Sequence, residues 1–593
     1  MTSSKQQGRR ETVLRGIGVA PGVVSGEVRL IRPEKVEPPE RNLAKSEIPK
    51  EIERFEEALS QTREQLHRIQ SELSQALGRE DASIFDAHLM VADDRSFIEE
   101  VIREIKEQRR NVESVLVQVS GKYADVLSGV EDQYLSERAA DVKDVTQRIL
   151  RNLMNLSETS LRDLKEPCVV VAPDLSPSDT ATIDREVVRG FATNLGSSTS
   201  HTAIMAQTME IPAVVGLHDV TRRVAHGDRV LIDGGKGLFI INPTAKRMKE
   251  YGKRAEEQRH ILHELEQLRE QPAKTADGYA VRLSANIEWA EELRLLRKHG
   301  ASGVGLFRSE YLFLNRAEPP SEDSQADVYG SVARELAPEP VVIRTLDVGG
   351  DRILPSEQTS NELNPFLGWR AIRFCLDRPD IFRPQLRAIL RASRHGNVRI
   401  MYPMVCCTKE LKAANRMLEK CKDELRDEGV EFDENIPVGV MIEIPSAALC
   451  AELFAPHVDF FSLGTNDLIQ YTLAVDRVND HVSHLYEPTH LAILKLLQYV
   501  VEAGHKNDIW VSICGEMAGD PVLAPLLIGL GIDELSVTPI LAPMIKDVIR
   551  KLKYSDAREL AQKCMQYRSP VTVRRRCREL TREIAGEVLE LLD

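Results

Sequence analysis

From Ala273 onward, short apolar runs alternate with amphipathic stretches. The runs Val281–Asn286, Gly303–Phe307, Val341–Thr345, Val398–Met401, Val438–Ile442, Asp459–Leu463, Trp510–Ile513 and Glu534–Val537 predict eight strands separated by helices. Eight such repeats in this length predict a (β/α)8 barrel of the TIM type. Between residues 46 and 156 the periodicity changes. Ile48, Ile52, Phe55, Leu59, Thr62, Leu66, Ile69 and Leu73 recur at alternating steps of four and three, one seam of a long helix with Thr62 its sole polar member. Val142, Val145, Ile149, Leu153 and Leu156 form a second stripe, with shorter helices predicted around Phe85-His88-Leu89 and over Val112–Val119, so the segment reads as a helical bundle.

On either side of the bundle the pattern is that of strands. Residues 12–31 alternate around Gly16-Ile17-Gly18-Val19-Ala20-Pro21-Gly22. The glycine spacing and the strand that follows exclude a dinucleotide fingerprint. Pro33 to Glu40 reads as a boundary. Strands return at Cys168–Ala172, Val187–Thr193, Ala213–Val215, Arg229–Asp233 and Leu238–Ile241, with a helix from His201 toward Pro212. The expected fold is thus α/β and multidomain: a β/α domain split into 12–32 and 157–243, an inserted helical domain at 33–156, a linker at 244–272 and the barrel at 273–593. If helical, the charged stretch Thr244–Gln271 would extend about 40 Å at about 1.5 Å per residue, a possible arm for swinging one domain.

Composition narrows the function. The 593 residues are 42% hydrophobic and 29% charged, fitting several globular domains. No apolar run reaches the roughly 18 residues of a membrane span, and Met1 to Arg10 is polar, so a cytoplasmic protein is expected. A formal net charge of −14 argues against nucleic acid and suits a basic protein partner. Arg574-Arg575-Arg576 reads as a solvated face. Nine cysteines without Cys-x-x-Cys spacing read as reduced thiols, with Cys375 and Cys450 expected to be buried packing residues.

Two places carry chemistry. His201 follows the hydroxyl-rich loop Gly196-Ser197-Ser198-Thr199-Ser200, at the expected start of a helix. Free N–H groups and the helix dipole there disfavour imidazolium and welcome an anion, which suits a phosphohistidine; a plain capped helix with a partly exposed histidine is the simpler alternative. The second place is the set Arg308, Arg344, Asp347, Glu443, Asn466, Asp467 and Cys514, each just beyond a strand's apolar core. In a parallel barrel those ends share one face. Glu443 and Asp467 are candidate ligands for Mg²⁺, and Arg308, Arg344 and Arg477 offer planar forks for a phosphate and a carboxylate.

Thr199-Ser200-His201-Thr202-Ala203-Ile204 resembles the phosphohistidine signature of enzyme I of the phosphoenolpyruvate-dependent sugar phosphotransferase system, shared in looser form with pyruvate phosphate dikinase and phosphoenolpyruvate synthase. The chain departs from the usual Gly-Gly-X-Thr-Ser-His in placing Ser197 at the second glycine and Ser198 at X, where many enzymes I have arginine; this bears on the rate of transfer. Gly303–Glu310, Arg344–Asp351, Asn364–Arg370, Gly464–Leu468, Ala474–Arg477 and Cys514–Gly519 resemble further motifs of the family, so the likeness spans essentially the whole chain.

The resemblance implies that Glu443 and Asp467 hold Mg²⁺, that Arg308, Arg344, Asn466, Asp467 and Arg477 bind phosphoenolpyruvate with Arg370 nearby, that His201 takes the phosphoryl group, and that Cys514 protonates the enolate. It further implies that the helical insertion binds the phosphocarrier HPr and that the barrel forms a homodimer. With no sensory extension ahead of Thr12, the sugar branch is expected over the nitrogen-related one. Two alternatives stay open: a dikinase or synthase acting through ATP, for which no Walker pattern occurs, and a regulatory binding protein in which phosphorylation is only a signal.

Overall fold

The computed structural model describes residues 11–20, 22–31, 40–76, 84–128, 133–154, 161, 164–175, 183–184, 187–196, 201–209, 211–313, 318–349, 364–477, 479 and 481–592. The expectations for Ser197–Ser200, Leu156, Gly350 and Asp351 lie outside these residues, as do those for the side chains of Leu73, Phe85 and His201. The chain forms two compact units, one ending at Arg259 and one running from His260 to Leu592.

The first unit holds an eight-stranded sheet. Its strands are β1 (Thr12–Arg15), β2 (Ile17–Ala20), β3 (Val23–Leu30), β4 (Cys168–Ala172), β5 (Val188–Thr193), β6 (Ala213–Val215), β7 (Arg229–Asp233) and β8 (Leu238–Ile241). The spatial order is β1-β8-β7-β3-β4-β5-β6-β2, with β3 to β6 mutually parallel and the remaining pairs antiparallel. The helix His201–Thr208 is the crossover from β5 to β6; it stops four residues short of Pro212.

Between β3 and β4 lie the helices Ile48–Ala76, Ile84–Asp93, Arg95–Gln108, Val112–Ser128 and Gln133–Leu153. Phe55, Leu59, Leu66 and Ile69 bury the seam of the first of them against Val115, Leu116, Val119, Val145 and Ile149. Thr62 fits there because its hydroxyl is satisfied twice, donating to the Ala58 carbonyl at 2.8 Å and accepting from Asn152 Nδ2 at 2.8 Å. Asp94 caps the third helix by accepting from the amides of Ser96 and Phe97. Beyond β8 comes the helix Ala245–Gln267, shorter than the expected stretch because Leu268 begins a turn.

The second unit is a closed barrel of parallel strands: β9 (Arg282–Ile287), β10 (Val304–Arg308), β11 (Val341–Arg344), β12 (Val398–Tyr402), β13 (Val438–Ile442), β14 (Phe460–Leu463), β15 (Trp510–Ile513) and β16 (Glu534–Val537), with β16 returning to β9. Each strand falls within one residue of its expected bounds, because runs buried on both faces are apolar throughout and end where a polar residue reaches the rim. Cys375 is buried as expected, whereas Cys450 is exposed. It sits at the junction of the short helices Pro445–Leu449 and Ala451–Phe454, where the break in the helix turns Cys450 outward beside Leu449 and Leu453. Among the described residues no helix is long and apolar enough to cross a membrane.

Candidate active site

All seven barrel residues singled out in the sequence line one cavity of about 120 Å³ at the C-terminal ends of the strands. Arg308 closes β10 and Arg344 closes β11; Glu443 follows β13; Asn466 and Asp467 begin the helix Thr465–Leu473 after β14; Cys514 follows β15. Arg477 lies beyond that helix. Gly464 has to be a glycine, since a Cβ there would fall 2.8 Å from Glu443 Oε2. His201 belongs to the other unit, where it is the first residue of its helix, and the next residue, Thr202, is buried with its hydroxyl donating to the Leu175 carbonyl at 2.9 Å.

The arginines of the mouth are held by carboxylates. Arg344 Nη2 pairs with Glu310, and its Nη1 lies 3.0 Å from Asp347 Oδ2. Arg370 Nη2 lies 2.9 Å from Asp347 Oδ1 and 3.6 Å from Asp467 Oδ2, while its Nη1 donates to the Tyr471 hydroxyl at 3.3 Å. Arg308 Nη1 donates to Glu288 Oε1 at 2.6 Å. Burial works against the charge of Arg344 and of Arg370, but Glu310 and Asp347 around the first, and Asp347 and Asp467 around the second, outweigh it and push both guanidinium groups upward. The forks are therefore permanent charges, fixed in place before any anion arrives.

Glu443 and Asp467 behave differently. Burial, then the neighbouring charges of Asp467 and Asp347, push Glu443 up to about 8, and burial also raises Asp467. Two buried carboxylates that resist ionising together suit a hard divalent cation, which would replace their protons. Glu443 Oε1 is aimed by the Met404 amide, which donates to it at 2.6 Å. Asn466 and Glu516 lock each other, Asn466 Nδ2 donating to Glu516 Oε1 and the Glu516 amide donating to Asn466 Oδ1, both at 3.0 Å; Arg477 Nη1 lies 3.5 Å from the same carboxylate.

The Cys514 thiol is buried, and burial raises its pKa, so it stays protonated near neutrality. Ser462 Oγ donates to its sulfur at 3.4 Å. The supporting residues Glu288, Glu310, Ser462, Tyr471 and Glu516 were not foreseen. Glu310 and Glu516 do carry a signal, each standing two residues beyond a predicted site residue, Arg308 or Cys514, whereas Glu288, Ser462 and Tyr471 are linked to the site only by folding.

The chain matches three family models in order: the PEP-utilising enzyme N-terminal domain at 15–138, the mobile domain at 164–237 and the PEP-binding domain at 262–554. It is 41% identical to a phosphoenolpyruvate-protein phosphotransferase of Staphylococcus carnosus, covering 93% of this chain and 96% of that one, and 41% identical to the protein of the same name from Bacillus subtilis, covering 93% and 96%. An NMR solution structure of Enzyme I (nEIt) is 42% identical, covering 41% of this chain and 98% of that chain, with a TM-score of 0.37. Identity at this level, sustained from the first sheet through the barrel, establishes that the chain belongs to the phosphoenolpyruvate-protein phosphotransferase family.

Proposed function

We propose that this protein moves the phosphoryl group of phosphoenolpyruvate to His201 and then to a histidine of the carrier protein HPr, releasing pyruvate. The observation that carries this reading is the convergence of fixed arginines, paired buried carboxylates and a buried thiol on one cavity.

Arg308, Arg344 and Arg477 bind the phosphate and carboxylate of the substrate, with Arg370 beside them and Asn466 orienting it. His201 attacks phosphorus; the phosphorus–oxygen bond to the enol breaks, and its electron pair stays on the enolate of pyruvate. Glu443 and Asp467 would hold Mg²⁺, which would supply positive charge to offset the charge that develops in the reaction. Cys514 then gives its proton to the enolate carbon, a role suited to a thiol kept neutral by burial.

The phosphohistidine is passed on in a second half-reaction, as in a ping-pong mechanism. In this reading 12–32 with 157–243 carry His201, 33–156 receive HPr, 244–272 link, and 273–593 bind substrate. The barrel forms a homodimer, a reading supported by Leu449 and Leu453, each 63% exposed beside the exposed Cys450. The protein works in the cytoplasm.

The test is incubation with labelled phosphoenolpyruvate, Mg²⁺ and purified HPr. Acid-labile label is expected on the wild type and then on HPr, none on His201→Ala, and slowed pyruvate release from Cys514→Ala. Label on His201→Ala overturns the assignment; label that requires ATP moves the protein to the dikinases, and label that never leaves it makes it a regulatory protein.

A further inference from the structure

After β12 the chain runs through Pro403–Cys407 into the helix Thr408–Asp427. This loop belongs to the mouth of the barrel: Met404, at a left-handed φ of 56°, is the residue whose amide donates to Glu443. Two and one residues before Thr408, the first residue of that helix, stand two adjacent cysteines. Cys406 is half-buried and Cys407 is exposed. One ligand atom from each of Cys406, Cys407 and Glu410 lies within 4.8 Å of the other two, and among the described residues this is the one such trio of cysteine, histidine or acidic side chains.

We propose that Cys406, Cys407 and Glu410 form a binding site for a thiophilic divalent cation, Zn²⁺ foremost, and that its occupation slows the chemistry at the barrel mouth. Two sulfurs and one carboxylate oxygen make a ligand set for a borderline-soft, tetrahedral ion, with the fourth position open to water. A hard ion such as Mg²⁺ prefers the all-oxygen pair Glu443 and Asp467, so the two sites sort cations by ligand chemistry. Burial and the Glu410 carboxylate push the Cys406 thiol up to about 11, so the bound cation itself has to draw the thiol protons off into solvent.

Two paths lead from the trio to the mouth. The Cys406 amide donates to Glu410 Oε2 at 2.7 Å, and the Cys406 carbonyl accepts from Ser446 Oγ at 3.2 Å, which fastens the loop to the segment just after Glu443. On the other side Arg373 Nε lies 3.9 Å from Glu410 Oε1, while Arg373 Nη1 donates to the carbonyls of Leu367 and Gly368, both at 3.2 Å, in the segment that leads to Arg370. A cation that draws Glu410 toward the sulfurs competes with the Cys406 amide and with Arg373. It thereby loosens the supports of Glu443 and of Arg370 together, and a small displacement of such supports costs much activity.

The metal half of this inference stands apart from the reaction, whereas the inhibitory half rests on the function proposed above. Co²⁺ added to the metal-free full chain is the probe. A sulfur-to-cobalt charge-transfer band with tetrahedral d–d absorption is expected at one equivalent, displaced by Zn²⁺, retained in Cys514→Ser, and weakened by at least about 100-fold in affinity in Cys406→Ser/Cys407→Ser. Glu410→Gln, which keeps an acceptor for the Cys406 amide, should weaken binding while leaving the fold intact. With Mg²⁺ saturating, Zn²⁺ should slow pyruvate release by about ten-fold or more in the wild type. The double serine variant should keep its basal turnover and lose that sensitivity. A cobalt spectrum unchanged in the double variant, or absent from the wild type, overturns the site. Cobalt binding with turnover unaltered by Zn²⁺ overturns the inhibition. Failure of the wild type to release pyruvate under any condition speaks against the proposed function and leaves the cobalt result to decide the site.

Discussion

At the C-terminal mouth of the barrel, Arg308, Arg344, Arg370 and Arg477 face Glu310, Asp347, Glu443 and Asp467 across an open cavity. At the opposite end, Arg282, Arg399 and Glu534 are packed around an aromatic pair. Phe460 and Trp510 stack with ring centroids 4.6 Å apart, the Arg399 guanidinium lies 4.9 Å from the Trp510 ring, and Arg282 Nη1 is 3.5 Å from Glu534 Oε2. Both ends place charge in the low dielectric of one barrel. At the bottom the charges are packed by rings that fill the space between them, whereas at the mouth the space is left free and two carboxylates are held close with no ring to separate them. Charge without filling supports the proposal that the mouth is the reacting end, and it predicts that substitutions will separate activity from stability by their end of the barrel.

The largest effect is expected from Glu443→Gln. Losing this proposed ligand and its charge should lower pyruvate release by about 10²–10³-fold, the scale of removing one electrostatic stabiliser. Stability should move the other way, since the amide keeps an oxygen for the Met404 N–H and ends the crowding of carboxylates. The pH dependence follows from the same group. Burial, then Asp467 and Asp347, raise Glu443 from 4.5 to about 8, so between those values the folded protein holds a proton that the unfolded chain has released. Without divalent cation, the stability contributed by that proton is fully present below about pH 4.5 and is lost as pH rises through about 8. Chemical denaturation across that window should show the decline in wild type, with Mg²⁺ opposing it and Glu443→Gln flattening it. A decline unchanged in the variant would remove Glu443 as its source.

That contrast also explains what could be read from the sequence. The barrel strands were legible because each is an apolar run stopped by a polar residue, and the seven barrel residues of the site were legible because those stops share one end. The bottom was not legible. Arg282, Arg399, Trp510 and Glu534 each look like part of an ordinary strand; closure of β16 on β9 joins Arg282 to Glu534, pairing of β14 with β15 joins Phe460 to Trp510, and Arg399 of the non-adjacent β12 meets the Trp510 ring only once the barrel has formed. Tyr471 escaped for the same reason, since its hydroxyl meets Arg370 across 101 residues. Cys450 was misread because apolar neighbours in sequence suggested burial, while the helix break there leaves Leu449 and Leu453 exposed as well.

Next in size is Phe460→Ala. The side chain is fully buried, so its removal should cost about 3–5 kcal/mol of stability, read as a lower midpoint of denaturation, while the KM for phosphoenolpyruvate at a permissive temperature stays near that of the wild type. A raised KM with stability intact would erase the distinction between the two ends. Gly439→Ala probes the same packing from the other side. Its Cβ would fall 2.4 Å from the Phe460 ring, so the ring has to shift, and an overpacking cost of about 1–3 kcal/mol is expected, again without a change in turnover.

The smallest effect should come from Arg399→Met. Burial, opposed by Glu534 and reinforced by Arg282, lowers the guanidinium's pKa, so the fold already bears a cost for this charge. Against that cost stands the attraction of the Trp510 ring, worth about 0.5–2 kcal/mol for a cation over an aromatic face. Methionine keeps the apolar stem over the ring, removes repulsion toward Arg282, and leaves Arg282 free to serve Glu534 alone. The opposing contributions should nearly cancel, giving a loss of about 1 kcal/mol or less with turnover untouched. A loss several times larger would mean that Glu534 depends on both arginines. Combining Arg399→Met with Glu534→Gln then decides the matter, because a charge left without its partner is relieved when it is neutralised, whereas lost packing is not.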